Sequence, residues 1–225
     1  MLDVVIIGAG PAGLSAAIEA HKAGLQYVVV EKGAIVNSIQ RFPSAMTFFS
    51  TPELLEIGEI PFTSSSMRPT RIDGLEYYTK VSNHFKLHLN LFEEVISVGR
   101  RDAHFELETS KTTHQCKNVV VATGYFDNPN LLGVPGEDLS KVSHYYSEPY
   151  SFYRQNVAVI GGKNSAAIAA LELYRHGAFV TLLHRKEQLS GGIKYWILPD
   201  VESRIKEGAI MAYFSAEVRE IRSGS

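Results

Sequence analysis

An α/β fold of two strand–helix–strand units in tandem, each with a parallel sheet, is predicted by three features of this 225-residue sequence. The first is a repeat: Asp3 to Lys32 aligns without a gap on Asn156 to Arg185, at a constant offset of 153 residues. The second is an apolar run broken by glycine in each copy, Val4-Val5-Ile6-Ile7-Gly8 and Val157-Ala158-Val159-Ile160-Gly161. The third is the segment after each run: a small-residue amphipathic stretch closing on Gly24 or Gly177, then a second apolar run, Tyr27 to Val30 or Val180 to Leu183. That order reads as strand, glycine turn, helix with a Gly C-cap, and strand. A helical crossover between neighbouring strands makes the pair parallel and the connection right-handed.

Composition bounds the function without choosing it. The chain is 45% hydrophobic and 20% charged, with a net charge of −2, so neither nucleic acid nor a polyanionic partner is indicated. The one cysteine, Cys116, rules out an intramolecular disulfide and reads as a small buried residue at the start of the strand Asn118-Val119-Val120-Val121, just before its first residue. The N-terminus has no basic region before its apolar run, so a signal peptide is not expected, and no stretch is long enough to span a membrane. A cytoplasmic location is the expectation.

Between the copies, Ser38 to Phe62 is loop-rich and Asp73 to Phe85 reads as a helix with Leu75, Tyr78, Val81 and Phe85 on one side. Leu87–Leu91, Glu94–Val98 and His104–Thr109 read as strands, the last two as a small β-meander. The strand Val119-Val120-Val121 runs into Ala122-Thr123-Gly124, and the Pro/Gly/Asn-rich stretch Asp127 to Gly136 marks a boundary. The expected organisation is a first unit over residues 1–127, a linker over 128–155 and a second unit over 156–225.

Gly8-Ala9-Gly10-Pro11-Ala12-Gly13 is a G-x-G-x-x-G that follows a strand and opens a helix. The first glycine makes the turn, the second lets backbone approach a pyrophosphate, and the third lets helix and strand pack closely. The helix N-terminus then holds the phosphates. Glu31 stands at the end of the next strand, where a carboxylate accepts hydrogen bonds from ribose hydroxyls. In the second copy the alignment sets His184 opposite Glu31, followed by Arg185 and Lys186. These cations pair with a 2′-phosphate that a carboxylate would repel, so this unit is expected to prefer NADPH to NADH. Gly161-Gly162-Lys163-Asn164-Ser165-Ala166 departs from the glycine pattern, and Lys163 is expected close to a phosphate as its counter-charge. Both units are therefore expected to be Rossmann-like dinucleotide-binding domains, the first for FAD and the second for NADPH.

The two motifs, the Ala122-Thr123-Gly124 strand end and Gly133-Val134-Pro135-Gly136-Glu137 resemble the two-dinucleotide-binding-domain flavoproteins of the thioredoxin-reductase-like branch. A thioredoxin reductase needs a Cys-x-x-Cys where this chain reads His144-Tyr145-Tyr146-Ser147-Glu148-Pro149-Tyr150, so that reaction by that route is excluded. Four segments resemble a narrower group: Glu31 to Asn37, Thr47-Phe48-Phe49-Ser50-Thr51 through Leu55 to Gly58, Gly161 to Ser165, and Trp196-Ile197-Leu198-Pro199. They are similar to the bacillithiol-disulfide reductases (YpdA type, also called bacilliredoxin reductases), FAD enzymes that use NADPH to reduce an oxidised low-molecular-weight thiol. The resemblance implies FAD contacts from Pro11, Ala12, Lys32, Thr51, Val95, Ala122, Thr123 and Gly124 besides the residues above, and NADPH contacts from Asn164, Ser165 and Ala166.

Two departures stand against it. Some members carry a cysteine inside the first glycine motif, where this chain has Ala12. Members also return to the FAD domain after the NADPH unit, and the chain is expected to be a form shortened at its C-terminus. Neighbouring readings are a flavin-containing monooxygenase, faintly suggested by His144 but with Ser140 where that linker has glycine, and a ferredoxin–NADP reductase lacking the dithiol. A nucleotide-binding fragment without turnover is the non-enzymatic reading. The expected partners are a small-molecule disulfide, a small redox protein and further copies of the chain. His84 and His88 have no third ligand nearby, so no metal site is expected. No residue is singled out as catalytic.

Overall fold

A computed structural model describes residues 1–224; Ser225, the last residue of the expected second unit, lies outside the described residues. The chain divides into two compact units, residues 1–129 and 130–225.

In the first unit, β1 (Leu2–Ile7), α1 (Pro11–Lys22) and β2 (Tyr27–Val30) form the strand–helix–strand motif. Strand β2 continues through a loop containing α2 (Asn37–Gln40) to α3 (Arg71–Phe85). Strands β3 (Leu89–Asn90), β4 (Val95–Arg101), β5 (His104–Thr109) and β6 (Thr113–Val121) complete a sheet of order β3-β2-β1-β6-β5-β4. β1 pairs in parallel with both β2 and β6, while β5 pairs antiparallel with β4 and β6. β6 is thus shared: its first half closes the meander and its second half extends the parallel sheet. Helices α1 and α3 cover one face, where Leu14, Ala17, Ile18, Tyr77, Tyr78 and Val81 pack with Ile6 and Val29. Val5, Val30, Leu107 and Cys116 pack together on the other.

The second unit repeats the opening motif with β7 (Asn156–Ile160), α4 (Asn164–Arg175) and β8 (Phe179–Leu183), followed by α5 (Leu198–Lys206) and β9 (Met211–Tyr213). Its sheet, β7-β8-β9, is parallel throughout. The repeat survives at atomic detail. Val4 faces Tyr27 and Val157 faces Val180, so both strand pairs have the same stagger. The Gly8 N–H donates to Val30 C=O at 2.8 Å, and the Gly161 N–H to Leu183 C=O at 2.9 Å. Both helices close on a left-handed glycine, Gly24 and Gly177.

Local expectations moved in four places. Helix α3 starts at Arg71, not Asp73, because Thr70 and Asp73 form a reciprocal capping box in which Asp73 is the third helical residue. Its most buried large side chains are Tyr77, Tyr78 and Val81, while Leu75 and Phe85 are only partly covered. The expected strand over Leu87–Leu91 pairs only at Leu89 and Asn90, since left-handed Lys86 and Phe92 bracket it. Cys116 lies inside a nine-residue β6, not before a four-residue strand. The stretch read as a linker contributes Tyr146 and Phe152 to the apolar cluster of the second unit, and the Arg154 N–H donates to Gly177 C=O.

Candidate functional site

Helix ends distinguish the two glycine turns from the rest of the chain. α3 satisfies its first amides with its own capping box. α1 and α4 have no side-chain cap and no acidic residue in the first turn. Their first N–H groups and the positive end of the helix dipole are left for an anion. Pro11 suits the first position of α1, where its missing N–H costs nothing.

The first turn is built tightly. A Cβ on Gly13 would collide with the Gly8 carbonyl oxygen, so helix and turn approach as only glycine allows. Gly10 is the N-cap in extended conformation and Ala12 is exposed in the first turn of α1. The Ala122 N–H donates to Ile7 C=O at 2.8 Å, which brings Ala122-Thr123-Gly124 alongside the Gly8 turn; Thr123 and Gly124 are exposed there.

Glu31, only 8% exposed, binds the loop itself. One carboxylate oxygen accepts the Ala9 N–H at 2.8 Å and the other the Gly33 N–H at 2.9 Å. An ionised carboxylate offers about four lone-pair positions, so acceptor capacity remains for a ribose. Its backbone is held by Asn90 and Glu93, and Val95 begins β4 two residues beyond Glu93. The Lys32 ammonium lies 2.8 Å from Asp127, which also accepts from Arg41 at 2.9 Å. The hydrogen bond to Asp127 raises the Lys32 pKa. Thr51 is the N-cap of the short 3-10 turn Pro52–Leu54.

The second turn is looser and positively charged. Ala166 carries the methyl that Gly13 cannot, and Lys163 takes the N-cap of α4 with its side chain exposed. A cavity of about 690 Å³ is lined by Lys163, His184, Arg185, Lys186, Glu187, Gln188, Leu189, Ser190, Gly191 and Ser215. The structure therefore brings the four basic residues singled out in the sequence to one concave site. Burial, then Lys186 and Arg185, lowers the His184 pKa. Gly162 is closed over by the His184 ring, and its C=O accepts the Ser190 N–H at 2.9 Å. Asn164 accepts the Lys194 N–H and donates to Gly192 C=O, while Ser165 follows it in the first turn of α4, exposed. Asn164 thus ties down the loop 188–194 instead of standing free.

Sequence reasoning missed Asp127, whose partners are distant in the chain, and Ser190. The run Ser190-Gly191-Gly192 was the available signal for a loop approaching the turn. No group of three or more His, Cys, Asp or Glu side chains is placed to hold a metal among the described residues. No helix among them is long and apolar enough to cross a membrane.

The family model described as pyridine nucleotide-disulphide oxidoreductase matches residues 5–225. A relative from Bacillus subtilis (strain 168), bacilliredoxin reductase Bdr, is 46% identical over 218 residues, covering 96% of this chain and 67% of the relative. The structure of bacillithiol disulfide reductase Bdr (YpdA) from Staphylococcus aureus superposes with a TM-score of 0.96 at 42% identity, covering 98% of this chain and 68% of that one. Its counterpart from Bacillus cereus gives 0.95 at 45% identity, with coverages of 98% and 70%. The chain spans about two thirds of the length of these relatives.

Proposed function

The chain belongs to the pyridine nucleotide-disulphide oxidoreductase family, and on that premise we propose that it passes hydride from NADPH through FAD to a low-molecular-weight disulfide of the bacillithiol type. The observation that carries this reading is the contrast between the two helix-turn sites: a carboxylate at Glu31 beside one, and the cavity of Lys163, His184, Arg185 and Lys186 beside the other. The residues fit the two cofactors, because each uncapped helix start suits a pyrophosphate and only the second unit adds cations for a 2′-phosphate. When bound, the flavin supplies the redox chemistry between nicotinamide and disulfide.

In this reading Gly8, Gly10, Pro11, Ala12 and Gly13 hold the FAD pyrophosphate, Glu31 the ribose, and Lys32, Thr51, Val95, Ala122, Thr123 and Gly124 line the remainder of that site. Gly161, Gly162, Lys163, Asn164, Ser165 and Ala166 receive the NADPH pyrophosphate, with His184, Arg185 and Lys186 around the 2′-phosphate. The protein contributes orientation and charge, not a nucleophile of its own. The Ala12 methyl cannot form a mixed disulfide, and burial holds the Cys116 thiol away from substrate and raises its pKa.

A small redox protein as a second acceptor is part of the proposal, supported by the name of the Bacillus subtilis relative. Assembly into a homo-oligomer is a further part of the proposal. A cytoplasmic setting fits NADPH as reductant and a lone free thiol.

The test is anaerobic titration of the FAD-loaded chain with NADPH, followed by a panel of bacillithiol disulfide, other small disulfides and oxidised ferredoxin. Flavin absorbance should bleach with NADPH and return with the small disulfide. Return with ferredoxin alone would overturn the reading.

A further inference from the structure

The cavity of the second unit contains a side chain whose acid–base chemistry a simple cationic pocket leaves unused. His184 follows β8, and its backbone is fixed on both sides: its N–H donates to Tyr213 C=O at 2.9 Å and its C=O accepts the Ala216 N–H at 3.1 Å. The imidazole covers Gly162 so closely that a Cβ there would overlap Cδ2, Cε1 and Nε2. Nε2 is buried and has no hydrogen-bond partner among the described residues. The charged groups sharing the cavity are Lys163 from the start of α4, then Arg185, Lys186 and Glu187 from the strand end; Ser190 and Ser215 are uncharged.

An imidazole walled in by backbone and flanked by cations is a poor place for another positive charge, and burial with Lys186 and Arg185 keeps it neutral. A phosphate monoester reverses that balance, because it carries a charge of about −1.5 to −2 at neutral pH. Resting on the reading that this cavity takes NADPH, we propose that His184 engages the 2′-phosphate as an imidazolium, so that NADPH binding takes up a proton and NADH binding does not. The proton comes from solvent, the imidazolium pairs with the phosphate by charge across the cavity, and no covalent bond of the nucleotide changes. His184 then selects for the phosphorylated nucleotide by a charge created only when that nucleotide is present. Arg185 and Lys186 carry theirs permanently.

Isothermal titration near pH 7.5 in buffers of different ionisation enthalpy measures the proton directly. NADPH and 2′-AMP should bind with uptake of about half a proton or more, by the linkage between ligand and proton binding. NADH should give none. Loss of a residual proton from the phosphate itself has the opposite sign, since its second pKa is about 6. His184→Gln should abolish the uptake and flatten the pH dependence of NADPH affinity while leaving Arg185-dependent binding in place. Binding of NADPH by the wild-type protein with zero or negative uptake overturns the proposal alone. Failure of both NADPH and 2′-AMP to bind overturns the NADPH site as well. The wild-type ligand series decides the matter even where the Gln variant does not fold.

Discussion

The Glu31 carboxylate accepts the Ala9 backbone N–H at 2.8 Å, joining the end of β2 to the glycine turn 22 residues earlier. With the Gly33 N–H on its other oxygen, this one side chain orders both loops beside the first glycine turn. Under the proposed function, ribose binding and loop architecture depend on the same buried group.

Glu31→Gln exposes that double dependence. Its amide has one carbonyl oxygen for two N–H donors, so one buried donor faces an NH₂ group. A buried donor left unsatisfied costs about 1–3 kcal/mol. We expect a lower melting temperature of the FAD-free chain as well as weaker FAD binding, measured by thermal unfolding and flavin fluorescence. An unchanged melting temperature would show that the loop does not rely on the carboxylate.

The two turns should differ in their tolerance of a methyl group. Gly13→Ala drives a Cβ into the Gly8 carbonyl, whereas Ala166 already carries one at the equivalent place. Overpacking of this kind costs about 1–3 kcal/mol, and denaturant titration should place Gly13→Ala in that range. Ala166→Gly should change stability far less and leave flavin content alone.

Arg185→Glu should raise the NADPH KM by about ten- to a hundred-fold, from the loss of a charged hydrogen bond worth about 1.5–3 kcal/mol. The NADH KM should move little. Steady-state kinetics with both nucleotides reads the difference, and equal changes would remove the 2′-phosphate from this cavity.

Cys116 is fully buried in β6, and burial raises its thiol pKa. The folded chain should not react with a disulfide reagent on the time scale of turnover, and should react after denaturation. Cys116→Ala should retain disulfide reduction; loss of activity in a folded Cys116→Ala protein would restore a thiol relay.

Glu137 is held at a pKa of about 2 by His144 and by the Leu132 and Gly133 amides, against an ordinary value of 4.5. A depressed carboxylate pKa contributes stability above the unfolded value, and that contribution is lost as pH falls through the folded one. The turn from Leu132 to Glu137 should keep its amide protection down to about pH 4.5 and lose it between there and about pH 2. Hydrogen exchange at Leu132 and Gly133 reads this directly, and Glu137→Gln should remove the pH dependence.

Much of the fold was legible because its signals are local. Helix α4 occupies the positions of α1 displaced by the repeat offset, and the strand registers agree, since apolar alternation and glycine turns act within a few residues. The Thr70–Asp73 capping box was equally local and would have corrected the start of α3. The basic residues of the second site were legible through the repeat, which set His184 where Glu31 stands in the first copy.

By itself the sequence determined the two strand–helix–strand units, the glycine turns and the sign of charge beside each, because these depend on short-range pattern and residue chemistry. Only the tertiary structure decided how those charges are used: Glu31 divides its oxygens between Ala9 and Gly33, Lys32 is paired with Asp127, and His184 closes over Gly162. Most of these contacts join residues some twenty or more positions apart. Chain topology brings such residues together, and burial then determines which hydrogen bonds and which protonation states they can keep.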